Sequence, residues 1–156
     1  MLKKTGNGNL SEKIFNKKEL DELIYEESNR GLAKKILEVL QESKAEEIVL
    51  IDVRETSNLA DYLFICEGRS QLHSRGIAQN VVLRLKHQGD VHLGIEGELE
   101  GNWVLLDYGN IILHVFHPEI RKYYNIEKLY TSDYARNGIN NNSPPKIYMK
   151  RILYAR

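Results

Sequence analysis

The chain has 156 residues, of which 42% are apolar and 28% charged, which is the size and make-up of one ordinary globular domain and speaks against a two-domain enzyme. Its 22 Lys and Arg balance 22 Asp and Glu, so no global field draws the molecule to nucleic acid or to an anionic membrane. A single cysteine, Cys66, rules out an intrachain disulfide and a cysteine zinc cage.

The zero net charge is a sum of unequal blocks: +4 over residues 1–18, −5 over 19–27, −3 over 28–130 and +4 over 131–156. Basic ends flank a mildly acidic body, a pattern read either as solvated tails or as arms that touch an anionic partner. No run approaches the roughly 18–20 apolar residues of a bilayer span, and the N-terminus lacks the apolar core of a secretory signal. Six acids in the first thirty residues speak against an organelle transit peptide, so a cytoplasmic location is expected.

Residues 1–11 are rich in Gly, Asn and Lys, and a narrow stripe of Leu20, Leu23 and Ile24 suggests a helix over 16–28. The next helix, over residues 30–43, is better marked: Leu32, Ala33, Ile36, Leu37 and Leu40 line one side and Lys34, Lys35, Glu38 and Glu42 the other. Residues 48–53 (IVLIDV) and 62–66 (YLFIC) read as strands covered on both faces, which makes Cys66 a small core residue before it is a nucleophile. Ser70 is a natural N-cap for a helix over 71–87 whose buried stripe is Ile77, Ala78, Val81, Val82 and Leu85. A short strand over 91–96 and a polar turn over 97–102 follow.

Gly109-Asn110 then sits between two apolar runs, a two-residue hairpin signal. That turn pairs Tyr108 with Ile111, Asp107 with Ile112, Leu106 with Leu113, Leu105 with His114, Val104 with Val115 and Trp103 with Phe116. One face becomes Val104, Leu106, Tyr108, Ile111, Leu113 and Val115, which belongs in the core. The other carries Trp103, Leu105, Asp107, Ile112, His114 and Phe116, and either a partner or a permanent helix must cover it. Pro118 opens a helix to about residue 125, with Glu119 favouring its positive end, and Ile126, Leu129 and Tyr130 continue the apolar pattern. Residues 137–146 (NGINNNSPPK) read as a loop, and the basic, amphipathic end KIYMKRILYAR fits a strand, a docked helix or a contact arm. The order of elements describes an α/β fold with a small mixed sheet and packed helices.

Metal-assisted phosphoryl transfer needs closely spaced carboxylates, and none follow the Gly68-Arg69-Ser70 turn on a plausible strand. Glu96, Glu98 and Glu100 lie in a glycine-broken loop, while His114 and His117 project from opposite faces of an extended strand, and His73, His87 and His92 lack a third ligand. No phosphate loop, nucleophile elbow or aromatic-basic stripe is present. No metal or cofactor is therefore expected, and a non-enzymatic binding module is the leading reading.

The stretch from Gly101 to Tyr130 (GNWVLLDYGNIILHVFHPEIRKYYNIEKLY) closely resembles the signature of the ribosomal silencing factor, or Iojap, family. So do KAEEIVLIDV from Lys44, ADYLFICEGRS from Ala60 and GIEG from Gly94, over about residues 31–130. Asn110 stands where the family usually has Asp, and Tyr130 where Trp is common. The resemblance implies a nucleotidyltransferase-like fold without the catalytic acids, frequent homodimers, and binding to the universal fourteenth protein of the large ribosomal subunit. It implies that occupancy there blocks joining of the small subunit and lowers translation under nutrient limitation. The family's contact segment falls here on Trp103, Val104, Leu105, Leu106, Asp107 and Tyr108, so Trp103, Leu105 and Asp107 are the main candidates. His114, Phe116 and Arg121 join them as further candidates, with Tyr108 from the core-facing side. The division that follows is a variable, partly helical extension over 1–28, a silencing-factor domain over 29–131, and a basic, flexible tail over 132–156 with a potential ribosomal RNA contact. The alternative from another class is a nucleotide-binding or nucleotidyl-transfer enzyme on the same fold.

Overall fold

The computed structural model describes residues 12–14, 31–54, 58–131 and 146–150, with side chains over 31–54 and 58–129. In chain order the elements are β1 (Glu12–Ile14), α1 (Leu32–Glu42), β2 (Glu46–Asp52), β3 (Tyr62–Glu67), α2 (Gln71–His87), β4 (Gly94–Glu96), β5 (Trp103–Asp107), β6 (Ile111–Phe116), α3 (Pro118–Tyr124), α4 (Ile126–Thr131) and β7 (Lys146–Lys150). The helix expected over 16–28 lies outside the described residues. The strands form one mixed sheet in the order β1-β7-β2-β3-β6-β5-β4, whose five-stranded body runs from β2 to β4.

Pairing is antiparallel throughout that body except at its centre, where β3 runs parallel to β6. The continuous aliphatic runs of β2 and β3 are explained by this position, since both strands are buried on both faces. On one face α1 and α2 cover Ile48, Leu50, Phe64, Cys66, Val104, Leu106, Leu113 and Val115. The helices supply Ile36, Leu37 and Leu40 from α1 and Ile77, Ala78, Val81 and Leu85 from α2, all buried. Ser70 caps α2 as expected, its Oγ accepting from the His73 amide at 3.0 Å. His73 then bridges the two helices, with its Nδ1 accepting from the Arg69 amide and its Nε2 2.9 Å from the Ser43 carbonyl.

The opposite face is covered more thinly. Ile120 and Ile126, from α3 and α4, pack with Val49, Ile51, Leu63, Ile65 and Phe116. The apolar pattern through residues 118–130 is broken into two helices because Asn125 takes a left-handed conformation at φ 43°. The strand expected over 91–96 is confined to Gly94–Glu96: its ladder reaches β5 only from Leu105 to Asp107, and Val91 is left exposed. Of the last stretch the described residues are Lys146–Lys150, and these form a strand paired antiparallel with β2.

Gly97 sets where β5 begins. It sits at φ +78°, and a Cβ there would run into the Trp103 carbonyl oxygen, so no other residue fits without moving the strand that carries Trp103.

Candidate partner-binding surface

The hairpin forms in the register expected, with Trp103 opposite Phe116, Leu105 opposite His114 and Asp107 opposite Ile112. Alternation along β5 then buries Val104 and Leu106 against α1 and α2 and leaves Trp103, Leu105 and Asp107 half-buried on the other face. Of the two coverings foreseen for that face, the helix is present over part of it. The short helices close over the Phe116 end, and the Trp103, Leu105, Asp107 side stays open to water.

Trp103 is held by specific contacts. Its Nε1–H donates to His114 Nδ1 at 3.0 Å, and its ring lies 4.8 Å from Phe116 and 5.9 Å from His114. An imidazole that accepts at Nδ1 is neutral and carries its proton on Nε2. Burial pushes the His114 pKa down to about 4, which keeps it in that form near neutral pH. Beyond Trp103 the aromatic contacts continue outward: Tyr124 at 5.0 Å, then Tyr123 set edge-on to Tyr124 at 4.9 Å. Exposure rises along this series from 0% at Phe116 to 52% at Tyr124 and 79% at Tyr123, so an apolar column rooted in the core emerges at the surface.

The remaining candidates sort by geometry. Asp107 Oδ1 accepts from the Gly109 amide at 2.7 Å, which stiffens the hairpin turn and fixes the direction of the carboxylate. Phe116 is fully buried and supports Trp103 from beneath, and His114 is buried beside it, so as placed they shape the surface without forming it. Tyr108 points to the core side as its register requires, with its hydroxyl buried without a partner and its pKa pushed up to about 12 by burial and then by Asp90. Arg121 does not face outward either. Its guanidinium is buried, with Nε and Nη2 on Glu127 Oε2 and Nη1 donating to Glu67 Oε2 at 3.1 Å and to the Glu47 carbonyl at 2.8 Å. Burial raises the Glu67 pKa, and the Arg121 charge only partly offsets it.

Tyr123 and Tyr124 were not among the sequence candidates. Their signal was two adjacent aromatics at the end of an amphipathic helix, but only the fold-back of α3 beside the start of β5 brings them to Trp103. Three acids are exposed near the start of β5: Glu98 and Glu100 on the turn leading into it, and Glu96 at the end of β4, directly opposite Leu105 across the β4–β5 ladder. Among the described residues no three His, Cys, Asp or Glu side chains are grouped to hold a metal ion, and no helix is long and apolar enough to cross a membrane.

The family model described as "Ribosomal silencing factor during starvation" matches residues 26–151. The chain belongs to the ribosomal silencing factor family. A silencing factor from Halalkalibacterium halodurans is 35% identical over 103 residues, covering 66% of this chain and 88% of that protein. The crystal structure of a Chromobacterium violaceum protein superposes with a TM-score of 0.64 at 31% identity, covering 66% of this chain and 86% of the other. A mouse protein named for mitochondrial assembly of the ribosomal large subunit is 30% identical over 99 residues, which cover 62% of this chain and 43% of the mouse protein. The hairpin thus belongs to a fold shared with the Chromobacterium violaceum protein of solved structure.

Proposed function

We propose that the chain binds the large ribosomal subunit through the Trp103 face, contacts its universal fourteenth protein, and blocks joining of the small subunit. Translation is repressed as a result, under nutrient limitation and in the cytoplasm. The observation that carries this reading is the column Phe116–Trp103–Tyr124–Tyr123, an aromatic anchor fixed at its root and presented at its tip. Anchors of that kind, rimmed by polar groups, concentrate binding energy. Asp107 on the same face of β5 and Glu96 opposite Leu105 give the rim an acidic character that suits the basic surface of a ribosomal protein.

The mechanism is steric. A bound domain filling the joining face excludes the small subunit without deforming the ribosome and without chemistry. Within this reading residues 29–131 are the binding body, akin to nucleotidyltransferases but lacking their acids, while residues 1–28 and 132–156 are additions. The enzymatic alternative gains nothing from the structure, since its nearest acids, Glu96 at the end of β4 and Glu98 and Glu100 on the turn after it, are all exposed.

Co-sedimentation with purified large subunits tests the partner. Wild-type protein is expected to travel with free large subunits and to reduce 70S formation when small subunits are added. Trp103→Ala is expected to stay folded by circular dichroism yet bind about 2 kcal/mol more weakly. Wild-type protein that stays at the top of the gradient would sink the reading.

A further inference from the structure

Helix α3 carries the outer half of the aromatic column, yet at seven residues it is too short to hold a place of its own. Its position depends on what fastens it to the sheet. Ile120 packs on the thinly covered face, and Arg121 is the one fully buried residue of the helix. A buried guanidinium is a costly fastening, since an apolar side chain would fill the same space without taking a charge out of water. It does one thing an apolar residue does not: its planar set of donors is satisfied in one geometry and so fixes a direction.

That geometry is assembled from three elements. Strand β2 carries a bulge: Glu46 lies opposite Glu67 and Val49 opposite Ile65, so three steps along β2 match two along β3. Within the bulge Glu47 takes a left-handed conformation at φ 49°, which a non-glycine residue keeps only where its surroundings impose it. Its carbonyl accepts from Arg121 Nη1 at 2.8 Å, and the Glu67 carboxylate, at the end of β3, accepts from the same nitrogen at 3.1 Å. From α4, Glu127 Oε2 accepts from Arg121 Nε at 3.0 Å and also from Nη2, across the corner that Asn125 makes between the two helices. Tyr124 stands about one turn after Arg121, so its bearing on Trp103, ring to ring at 5.0 Å, follows from where the guanidinium is held.

We infer that Arg121 is a positioning residue for partner binding: the β2 bulge, Glu67 and Glu127 lock its guanidinium, and through α3 that lock sets Tyr124 and Tyr123 against Trp103. The strained bulge thereby has a use, since it offers the Glu47 carbonyl to a helix. The partner need never touch Arg121, which acts through the two tyrosines. The binding step rests on the Trp103 face being the contact, while the packing of the column is measured without a ribosome.

The test compares the full-length wild type with Arg121→Met, Glu67→Ala, Tyr124→Ala and the pair Arg121→Met with Tyr124→Ala. Trp103 is the single tryptophan, so acrylamide quenching of its fluorescence reports how well Tyr124 covers it. Sedimentation with purified large subunits gives the affinity. Arg121→Met, with both tyrosines intact, is expected to show Trp103 quenched as readily as in Tyr124→Ala and to bind about tenfold more weakly than wild type. Adding Tyr124→Ala to it should change little more, because the ring has already left. Glu67→Ala, in which Arg121 keeps Glu127 and the Glu47 carbonyl, should move both readings the same way by a smaller step. A folded Arg121→Met with wild-type quenching and affinity overturns the inference, and so does a Tyr124→Ala effect as large in that background as in the wild type. If Arg121→Met does not fold, Glu67→Ala decides by the same two readings. If that variant unfolds too, the inference falls, because the cluster then supports the whole domain and not α3. Wild-type protein that ignores large subunits sinks the binding reading instead, and quenching alone then decides the lock.

Discussion

Acidification should destabilise the protein through one residue. His114 has a pKa of about 4 in the fold, against an ordinary value near 6.5, because burial disfavours the imidazolium. The unfolded chain takes up this proton more readily, so His114 contributes full stability above pH 6.5 and loses it as pH falls toward 4. The difference in affinity corresponds to a loss of roughly 3 kcal/mol over the whole window, about 1 kcal/mol of it by pH 5.5. Glu67 works against this trend, because its raised pKa lets the folded state hold a proton more tightly, and the two must be separated. His114→Gln does so. A glutamine carbonyl still accepts the Trp103 N–H but does not titrate. Urea unfolding followed by the fluorescence of Trp103, the single tryptophan, gives the stability of both proteins from pH 7.5 to pH 4.5. The wild type is expected to lose stability faster than the variant by the amounts above. Parallel pH profiles would refute the claim that a neutral His114 holds Trp103.

Three further outcomes follow from the same geometry. Tyr123→Ala should weaken large-subunit binding while moving stability by no more than about 0.5 kcal/mol, since Tyr123 is 79% exposed; a thermal melt beside a sedimentation binding curve separates the two. Arg121→Met should destabilise by on the order of 3 kcal/mol, because Glu67, Glu127 and the Glu47 carbonyl lose their shared donor in a buried setting. Lysine should not restore this in equilibrium unfolding, as one ammonium cannot span three acceptors. Cys66, with its thiol pKa pushed to about 12 by burial, should ignore a thiol reagent at pH 8 until urea unfolds the chain, which a colorimetric thiol titration reads directly.

Local rules carried much of the fold. The stripes of α1 and α2, the Ser70 cap and the hairpin register all depend on neighbours within a few residues, and the structure reproduces each, save that Val82 of the α2 stripe is only partly buried. The same register placed Trp103 and Tyr108 on opposite faces before any tertiary contact was known. What stayed hidden was non-local. Arginine is ordinarily exposed, so Arg121 read as a contact residue, and its burial depends on acceptors at positions 47, 67 and 127 that only folding assembles. Phe116 looked available because nothing short-range says that Ile120 and Ile126 fold back around it. The composition of the last stretch allowed a strand, yet its partner, β2, lies about a hundred positions upstream.

The parallel pairing of β3 with β6 has a bearing on how the molecule is made. Each residue of β3 meets a partner 49 positions later in the chain, as Tyr62 does with Ile111. At a synthesis rate of roughly 5–20 residues per second, β3 waits several seconds for the strand that completes it. During that interval β2 and β3 have only each other, and α1 and α2 cover only one side of the pair. The nascent chain therefore shows its most aliphatic segments, IVLID and YLFIC, to the translation machinery before the hairpin arrives. A protein with this topology should lean on chaperones at the exit tunnel more than a helical bundle of equal length does.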